Sequence, residues 1–557
     1  MSRRTDAWRA NWPSRRDYRG LTTFWRGDLL AGLTVGIVAL PLALGFGVAS
    51  GVGARAGVIT AIIAGIVAAV FGGSHVQVSG PTGAMAVVLV PIVAHDGVAA
   101  VSSVALIAGV IVILMGRLGL GRAIQFVPWT VLEGFTLGIA TTITLQQIPL
   151  IAGLSQGHGS SVVDATWNAL RAATWRTSTP TVVLAAVVVA IMLVWPRVSR
   201  RIPGSIVAVI VATVVSLVAH FSVPTLSGLP RSFPSPRVPH LTWSVVQHLS
   251  GPALAVAVLA ALESLLSARV ADAMAGTDHC NDRREMYGQG LANVAAGLFG
   301  GMPTTGAIAR TAVNVKSGAR SRVAAIVHSL VIFVVILAAT PLVSRIPLAV
   351  LGGVLAVTAA RMVNRANVRR IVRAHPTEAL VWALTALMTV VVNLITAIEV
   401  GLAVASLLAL RAMILGSGAV QEDLAEHHDG PVDELELLRE QIAIVRFDGA
   451  LFFGAAPRFA DVVENVGRVR VVILRFRGLS VLDASGAELL ARMVEDFRVR
   501  GVVVIIKGMS SAHRRLFTEI SDDGLIDDHF FDDLPAAITH ARLHVQRAAL
   551  TTEDPTA

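Results

Sequence analysis

The sequence predicts a polytopic α-helical membrane protein that ends in a small cytoplasmic α/β domain. Of its 557 residues, 54% are hydrophobic and 15% are charged, and the mean hydropathy is +0.69. Soluble proteins carry about 25% charged residues. Apolar runs such as 29–49 and 181–195 follow one another to about residue 414, and a membrane span needs about 20 apolar residues. Beyond that point the chain becomes polar, and strand and helix patterns alternate.

We expect about fourteen spans in the apolar region. The spans are predicted near 28–50, 56–72, 79–95, 101–117, 128–150, 180–196, 203–220, 251–275, 287–301, 304–318, 322–344, 346–362, 376–395 and 397–414. The first 26 residues hold seven arginines and two aspartates, so the positive-inside rule predicts a cytoplasmic N-terminus. An even number of spans returns the C-terminus to the cytoplasm. Because the arginines flank spans and form no single basic stripe, the net charge of +9 is explained by topology, and nucleic-acid binding is not expected.

A short pattern, Thr-Gly-Ala-x-Ala, occurs twice, at 82–86 and 305–309. Seven predicted spans precede the Pro-rich stretch 221–240 and seven follow it. An odd number of spans in each half makes the halves enter the membrane from opposite sides, which predicts an inverted repeat with a substrate site at mid-membrane. The alternative is coincidence in a chain rich in Gly, Ala and Thr.

Both copies of the pattern are predicted to break a helix. Prolines open them, at Pro81 and Pro303, and irregular backbone in a membrane is tolerated where it is buried or lines a cavity. Two half-helices that meet head to head direct N–H groups and positive dipole ends at one point, which suits an anion. Thr82 and Thr305 add hydroxyl donors. The alternative interpretation is close helix packing through small residues.

Glu263 lies midway along its predicted span, where ionisable residues are costly and are functional candidates. Ser267 is four residues further and shares its helix face. A carboxylate and a hydroxyl together hold Na⁺, whereas the carboxyl alone carries a proton; a buried hydrogen bond or ion pair that fixes helix packing is the alternative. Arg310, which only the second copy of the pattern has, neutralises either an anion or Glu263. No metal-ligand spacing, nucleophile–base pair or phosphate loop is found, so neither an enzyme nor a bound cofactor is expected.

Four segments carry a resemblance to a known family. They are "GDLLAGLTVGIVALPLALGFGVASGVGARAG" (27–57), "VSGPTGA" (78–84), the segment from "LESLLSARVADAMAG" to "GGMPTTGAIARTAVNVKSGA" (262–319) and "IPLAVLGGVL" (346–355). Together they resemble the SulP anion transporters, and the C-terminal part resembles the STAS domain that this family carries. The resemblance implies two inverted seven-span repeats divided into a core and a gate domain, a substrate site between the half-helices of the third and tenth spans, and a homodimer.

The resemblance also assigns roles by position. The residues that it places at the substrate are Thr82, Gly83, Ala84, Gly306, Ala307 and Ile308, and those that it places at a coupling cation are Glu263 and Ser267. Arg310 is a further candidate for substrate binding, with Glu263 as its alternative partner. The sodium–bicarbonate symporters of the family have Asp and Thr where this chain has Glu263 and Ser267, which tilts the expectation towards H⁺. Arg310 resembles the sulfate and dicarboxylate relatives, whereas the first span resembles the bicarbonate branch.

The C-terminal domain is predicted from alternating patterns. We expect a hairpin-like pair of strands over 441–455, further strands at 469–476 and 501–508, and helices at 484–500 and 511–520. Related anti-sigma-factor antagonists carry Asp-Ser-Ser-Gly with the first serine phosphorylated, but here that position is Ala484, so such a switch is not expected. Asp483 or Ser485 is predicted to cap the helix that follows.

The predicted organisation is therefore a chain of five parts. They are a cytoplasmic segment 1–27, a transport domain 28–414 with repeats at 28–220 and 251–414, a linker 415–440, a STAS domain 441–548 and a tail 549–557. The expected function is secondary active transport of a small inorganic or organic anion (sulfate, bicarbonate or dicarboxylate) across the plasma membrane, coupled to H⁺ or Na⁺. The alternatives are an uncoupled exchanger or channel of the same fold and a membrane-anchored regulator whose STAS domain binds a cytosolic partner; a nucleobase symporter would not explain the STAS-like tail.

Overall fold

A computed structural model describes most of the chain. The described residues are 12–14, 17, 21–121, 127–154, 162–171, 175–199, 203–229, 232, 234–276, 280–392, 394–424, 438–452, 469–521 and 529–552. They fall into two compact units, Met1–Ala405 and Ser406–Ala557.

The first unit is helical. Its helices are α1 (Leu21–Ala49), α2 (Ala54–Phe71), α3 (Gly83–Asp96), α4 (Val98–Leu118), α5 (Trp129–Ile151), α6 (Val162–Arg171), α7 (Trp175–Val198), α8 (Gly204–Val218), α9 (Trp243–Ala275), α10 (Asp282–Leu298), α11 (Ile308–Lys316), α12 (Arg322–Val343), α13 (Leu348–Met362), α14 (Arg365–Ala374), α15 (Pro376–Val391) and α16 (Leu394–Leu415), the last of which continues into the second unit. Two very short strands come just before two of these helices: β1 (Ser79–Gly80) before α3 and β2 (Thr305–Gly306) before α11.

The helices match the predicted membrane spans. Within the described residues, nine helices are long and apolar enough to cross a membrane, and three shorter apolar helices, α3, α8 and α15, accompany them. Each predicted span overlaps one helix, but α10 and α11, at the predicted spans 287–301 and 304–318, belong to neither of these groups. The amphipathic helices α6 and α14 lie between predicted spans. The polytopic fold is confirmed, and the two predicted broken helices are α3 and α11, which begin after their strands.

Helix neighbours are related in pairs, as an inverted repeat requires. Helix α1 packs against α12, and its counterpart in the second half, α9, packs against α4. In the same way α5 packs against α15, and α13 packs against α7. Small residues allow the close approach: a Cβ on Gly109 of α4 would lie 2.6 Å from the Gly290 carbonyl oxygen of α10.

The second unit contains a five-stranded sheet covered by helices. Its elements are β3 (Gly418–Glu422), β4 (Ile442–Leu451), β5 (Val471–Leu482), α17 (Ala484–Val499), β6 (Val503–Lys507), α18 (Ser511–Ile520), β7 (Phe530–Phe531) and α19 (Leu534–Thr552). The strand order follows the chain from β3 to β7; β3 and β4 are antiparallel and the other pairs are parallel. Residues alternate along β5, so that Leu474 packs in one buried cluster with α17 and Ile473 in another with α19.

The predicted hairpin over 441–455 is wrong in the part that the structure describes. Residues 442–451 form one continuous strand, and the antiparallel partner is β3, which lies within the predicted linker 415–440. Asp448-Gly449 is a typical hairpin signal, but here the pairing with β5 shifts register on either side of this dipeptide. Gly449 has φ of +85°, which its lack of a Cβ permits, and the strand continues beyond the bulge.

Asp483 caps α17, as predicted. Its Oδ1 accepts a hydrogen bond from the Gly486 N–H over 2.7 Å, which satisfies one of the N–H groups that the first helical turn leaves without a partner. Asp483→Ala is expected to lower the stability of α17 by about 1 kcal/mol. Amide hydrogen exchange in the 484–499 peptide of the full-length protein should therefore become about fivefold faster.

Two matched variants define this result. Asp483→Asn keeps a capping oxygen and should exchange like the parent, whereas Asp496→Ala removes an exposed carboxylate from the same helix without touching the cap. Equal exchange rates in Asp483→Ala and the parent would show that the cap does not stabilise α17.

Candidate substrate and cation site

The two copies of the Thr-Gly-Ala-x-Ala pattern come together through their backbones. β1 and β2 pair antiparallel, with Ser79 opposite Gly306 and Gly80 opposite Thr305. Because α3 and α11 begin within three residues of these strands, the N-terminal ends of both helices lie at the same place. The first N–H groups of a helix have no acceptor within it, so this place carries a positive potential from both halves of the protein.

Glu263 of α9 connects the two copies. Its Oε2 accepts a hydrogen bond from Thr82 Oγ1 over 2.9 Å and another from Thr305 Oγ1 over 2.8 Å. Thr82 is also the N-cap of α3, where its Oγ1 accepts from the Met85 N–H over 3.4 Å. Glu263 itself is half-buried. Three side chains from three distant segments thus meet at one carboxylate oxygen, and both hydroxyls that the sequence predicts as anion donors contact Glu263.

Two serines of α9 contact the second copy of the pattern and the helix α11 that follows it. Ser264 Oγ accepts a hydrogen bond from the Gly306 N–H over 3.0 Å, and Ser267 Oγ lies 3.3 Å from Thr311 Oγ1. Glu263 and Ser267 therefore face the same neighbouring segment, as the helical spacing predicts, but the hydrogen-bond partner of Ser267 is Thr311. Ser264 is absent from the sequence-based candidates because it is an ordinary small residue in a helix.

Arg310 binds the backbone of the opposite copy. Its side chain is 3% exposed, and Nη2 donates to the Pro81 carbonyl oxygen over 2.6 Å. Nη1 is buried and has no hydrogen-bond partner among the described residues, and a Cβ on Gly80 would clash with it. In the part of the chain that the structure describes, Arg310 forms no ion pair with Glu263. The guanidinium is therefore a buried cation immediately beside both helix starts.

The small residues of the site are packed closely. Ala84 is fully buried and Ala307 is 7% exposed, whereas Ile308 is 41% exposed. A Cβ on Gly83 would clash with Ile143 and lie 3.3 Å from Phe46 Cε1. The Ala307 N–H donates to the Val78 carbonyl oxygen over 2.9 Å.

The backbone N–H groups of the predicted site residues differ in whether they are free to bind an anion. The N–H groups of Gly306 and Ala307 are already used within the protein. Those of Gly83 and Ala84, at the first two positions of α3, have no acceptor within that helix. The same holds for Ile308 and Arg310 in the first turn of α11, so both helix starts have backbone donors to offer, whereas Gly306 and Ala307 do not.

Gln77 is a further polar group that sequence reasoning missed. Its amide nitrogen and oxygen are both buried and have no hydrogen-bond partner among the described residues. A Cβ on Gly306 would clash with its Nε2, so the amide lies against the second copy. Buried amides without partners cost about 1–3 kcal/mol, so the Gln77 amide is available to a ligand or a water molecule. The available signal was an amide residue between two valines, four positions before Pro81.

The unwound backbone before α11 is held by side chains from other helices. Asn293 of α10 donates through Nδ2 to the Thr304 carbonyl oxygen and accepts from the Thr304 N–H, both over 2.9 Å. Thr60 of α2 makes the same pair of contacts with Met302, over 2.8 and 2.7 Å. In a membrane such backbone groups must find partners within the protein. These contacts therefore fix the position of the second copy against α2 and α10.

Comparisons with known proteins agree with this architecture. The profile of the sulfate permease family matches residues 25–385, and that of the STAS domain matches residues 438–537. A putative sulfate transporter of Bacillus subtilis, YvdB, is 33% identical over 91% of this chain and 96% of its own length. The bicarbonate transporter BicA of Picosynechococcus is 32% identical over 88% of this chain and 90% of its own. The solved structure of SLC26A9 has the same fold, with a TM-score of 0.82 at 18% identity, over 100% of this chain and 96% of that one.

Proposed function

The chain belongs to the sulfate permease family, and from this premise we propose that it is a secondary active transporter of small anions whose uptake is driven by a cation gradient. Sulfate and bicarbonate are named for two of its relatives, and both are small oxyanions that suit a site of helix starts and hydroxyl donors. Dicarboxylates are a third class that offers the same charged oxygens. The anion would bind between α3 and α11, with Thr82, Gly83, Ala84, Gly306, Ala307, Ile308 and Arg310 around it.

One observation carries the coupling: a single oxygen of Glu263 accepts hydroxyl hydrogen bonds from both copies of the pattern. An arriving anion needs the hydroxyls of Thr82 and Thr305 that the carboxylate holds. It also meets the negative charge of the carboxylate, and two like charges about 4 Å apart repel by about 4 kcal/mol at an effective dielectric constant of 20. A cation on Glu263 removes both obstacles, so anion and cation bind together.

We favour the proton as this cation. Ser267, the second residue of the predicted Na⁺ pair, is hydrogen-bonded to Thr311. A protonated carboxyl needs no further ligand and becomes a donor itself, so the threonine hydroxyls are released to the anion. Na⁺ coupling at Glu263 and Ser267 requires instead that Ser267 Oγ, which shares a hydrogen bond with Thr311, direct a lone pair at the ion.

The transport cycle follows from the inverted repeat. Alternating access would move the core domain, which holds both half-helices, against the gate domain. The arginines before α1 and those of α14 support a cytoplasmic N-terminus and C-terminus in the plasma membrane. The STAS domain would then lie in the cytoplasm, where a cytosolic partner has access to it, and the family resemblance suggests a homodimer.

Uptake by the purified protein in proteoliposomes tests the proposal. Labelled sulfate, bicarbonate and succinate are offered separately with an inward H⁺ gradient, an inward Na⁺ gradient or neither. We expect one of these anions to accumulate above its equilibrium level with the H⁺ gradient alone. Protease access to the C-terminal unit reports the orientation of the protein in the same vesicles.

The other functions give different outcomes. Equal fluxes with and without gradients, measured as exchange or as current, would indicate an uncoupled exchanger or channel. Accumulation with the Na⁺ gradient alone would assign the coupling to Na⁺. No flux of any of the three anions would contradict the proposal and favour a membrane-anchored STAS regulator.

A further inference from the structure

Three histidines converge in the C-terminal unit. His529 directly precedes β7, the edge strand of the sheet, and His540 and His544 are four residues apart on α19. The spacing of four puts both on one helix face. All three side chains are half-buried. The histidines thus lie where the last helix meets the edge of the sheet.

The ring nitrogens lie at distances that suit a shared ligand. His540 Nε2 and His544 Nε2 are 3.2 Å apart, and one nitrogen from each of the three rings lies within 4.8 Å of the others. Two imidazole nitrogens that bind one Zn²⁺ at about 2.0–2.1 Å in a tetrahedron are separated by about 3.3 Å. The helical pair therefore already has this separation. The third nitrogen has to approach by at most roughly 1.5 Å, which a change of side-chain rotamer provides.

Packing orients the rings towards one another. The ring centroid of His529 lies 5.4 Å from that of His540 and 5.6 Å from that of His544. The centroids of His540 and His544, both on α19, are 4.9 Å apart. The ring of Phe531 on β7 lies beside that of His540 at an angle of 44°, with centroids 5.1 Å apart. On the adjacent face of α19, Ala541 and Val545 are buried against the sheet. Because this face anchors the helix, His540 and His544 are held beside β7.

The donor set selects a class of ligand. Within the described residues the cluster consists of three imidazoles and includes no carboxylate or thiol. Imidazole suits Zn²⁺, Cu²⁺, Ni²⁺ and Co²⁺, whereas Mg²⁺ and Ca²⁺ require oxygen ligands. We propose that His529, His540 and His544 bind one divalent transition-metal ion of the Zn²⁺ class, with water completing the coordination.

Such an ion would tie the C-terminal helix to the sheet. β7 pairs with β6 over only two residue pairs, Ile506 with Phe530 and Lys507 with Phe531. The edge strand therefore has few main-chain hydrogen bonds to the rest of the sheet. A metal bound by His529 on one side and by two residues of α19 on the other holds the strand and the helix together. This site belongs to the C-terminal unit and is independent of the proposed transport function.

Metal binding to the full-length protein tests the proposal. The protein is purified in detergent without a polyhistidine tag and freed of metal with a chelator. Zn²⁺ affinity is then measured by competition with a chromogenic chelator, and Co²⁺ is added as a spectroscopic probe of tetrahedral coordination. We expect one equivalent of Zn²⁺ and a visible Co²⁺ absorption band in the parent protein.

Variants assign the bound ion to the cluster. His540→Gln and His544→Gln should each lose the Co²⁺ band and bind Zn²⁺ at least about tenfold more weakly. His529→Gln, which lies outside the helix, gives the same result without altering α19. His513→Gln on α18 is the matched control and should bind like the parent. Size-exclusion elution that matches the parent shows that each variant is folded.

Two results would overturn the proposal. The first is a parent protein that binds neither Zn²⁺ nor Co²⁺ more strongly than His540→Gln does. The second is binding that His513→Gln weakens as much as the cluster variants do. Either one would show that the three rings only pack against one another, with His540 and His544 joined by a direct hydrogen bond.

Discussion

Glu263→Gln is expected to abolish accumulation of the anion by a cation gradient while anion exchange continues. The glutamine has the same shape and, like the protonated carboxyl, has a donor of its own, so the hydroxyls of Thr82 and Thr305, which lie 2.9 and 2.8 Å from Glu263 Oε2 in the parent, are free to bind the anion. It carries no charge and takes up no proton at physiological pH. The substituted protein therefore resembles the cation-loaded state permanently. Gradient-driven uptake should fall by at least about tenfold, as expected when an ionisable group in a membrane is the functional one.

Counterflow of labelled against unlabelled anion supplies the second measurement. Exchange requires the loaded site to face each side in turn but requires no cation release, so its rate should remain within about threefold of the parent, which corresponds to less than 1 kcal/mol. Glu399→Gln, on the exposed side of α16, is the matched control and should keep both activities. Gradient-driven uptake that persists in Glu263→Gln would remove Glu263 from the coupling mechanism.

The sequence alone predicts those parts of the fold that depend on local patterns. Apolar length locates the spans, and proline followed by small residues at Pro81 and Pro303 locates the two helix breaks. Both are local signals, because a break needs residues that cannot continue a helix or satisfy its backbone. The capping role of Asp483 is equally local, since its acceptor and the Gly486 N–H are three residues apart. Repetition of one pattern in two halves was sufficient to predict that the breaks belong together.

The partners of the site residues could not be predicted in the same way. Thr82 and Thr305 were expected to donate to an anion, but each also lies within reach of Glu263, which comes from a third segment. Gln77 lies against the second copy only because β1 pairs with β2, and these two strands are far apart in the sequence. The hairpin predicted around Asp448-Gly449 is wrong for a related reason. The local preference of this dipeptide for a turn is overridden by pairing with β3 and β5 on both sides.

The asymmetry of the two copies has a physical basis in these contacts. An inverted repeat alone would produce two equivalent helix starts, but Arg310 has Val87 as its counterpart in the first copy. The guanidinium crosses to the first copy and donates to Pro81, whereas the carboxylate of Glu263 comes from the second half and contacts both. One buried cation and one titratable anion thus accompany a pair of otherwise similar half-helices. Their separate roles are distinguished by substitution of Arg310.

Arg310→Met is expected to weaken anion binding by about ten- to a hundredfold. Arg310 is 3% exposed, and its Nη1 is buried without a hydrogen-bond partner among the described residues, so it has a donor to offer to an anion between α3 and α11. Hydrogen bonds to charged groups contribute about 1.5–3 kcal/mol, and each 1.4 kcal/mol is a factor of ten in affinity. Methionine fills a similar length without the charge. The measurement is the equilibrium dissociation constant of the transported anion for the purified protein.

Arg310→Lys and a comparison of anions separate contact with the substrate from neutralisation of Glu263. Lysine keeps the charge but not the two-pronged donor geometry, so it should retain more affinity than methionine does. If the guanidinium meets the substrate, the loss in Arg310→Met should be larger for divalent sulfate than for monovalent bicarbonate, because the attraction scales with the charge of the anion. If Arg310 only neutralises Glu263, the affinity for every anion stays within about twofold, which is under 0.5 kcal/mol, and the dependence of uptake on the coupling cation shifts instead. That second pattern would remove Arg310 from the proposed anion site and assign it to the charge balance of Glu263.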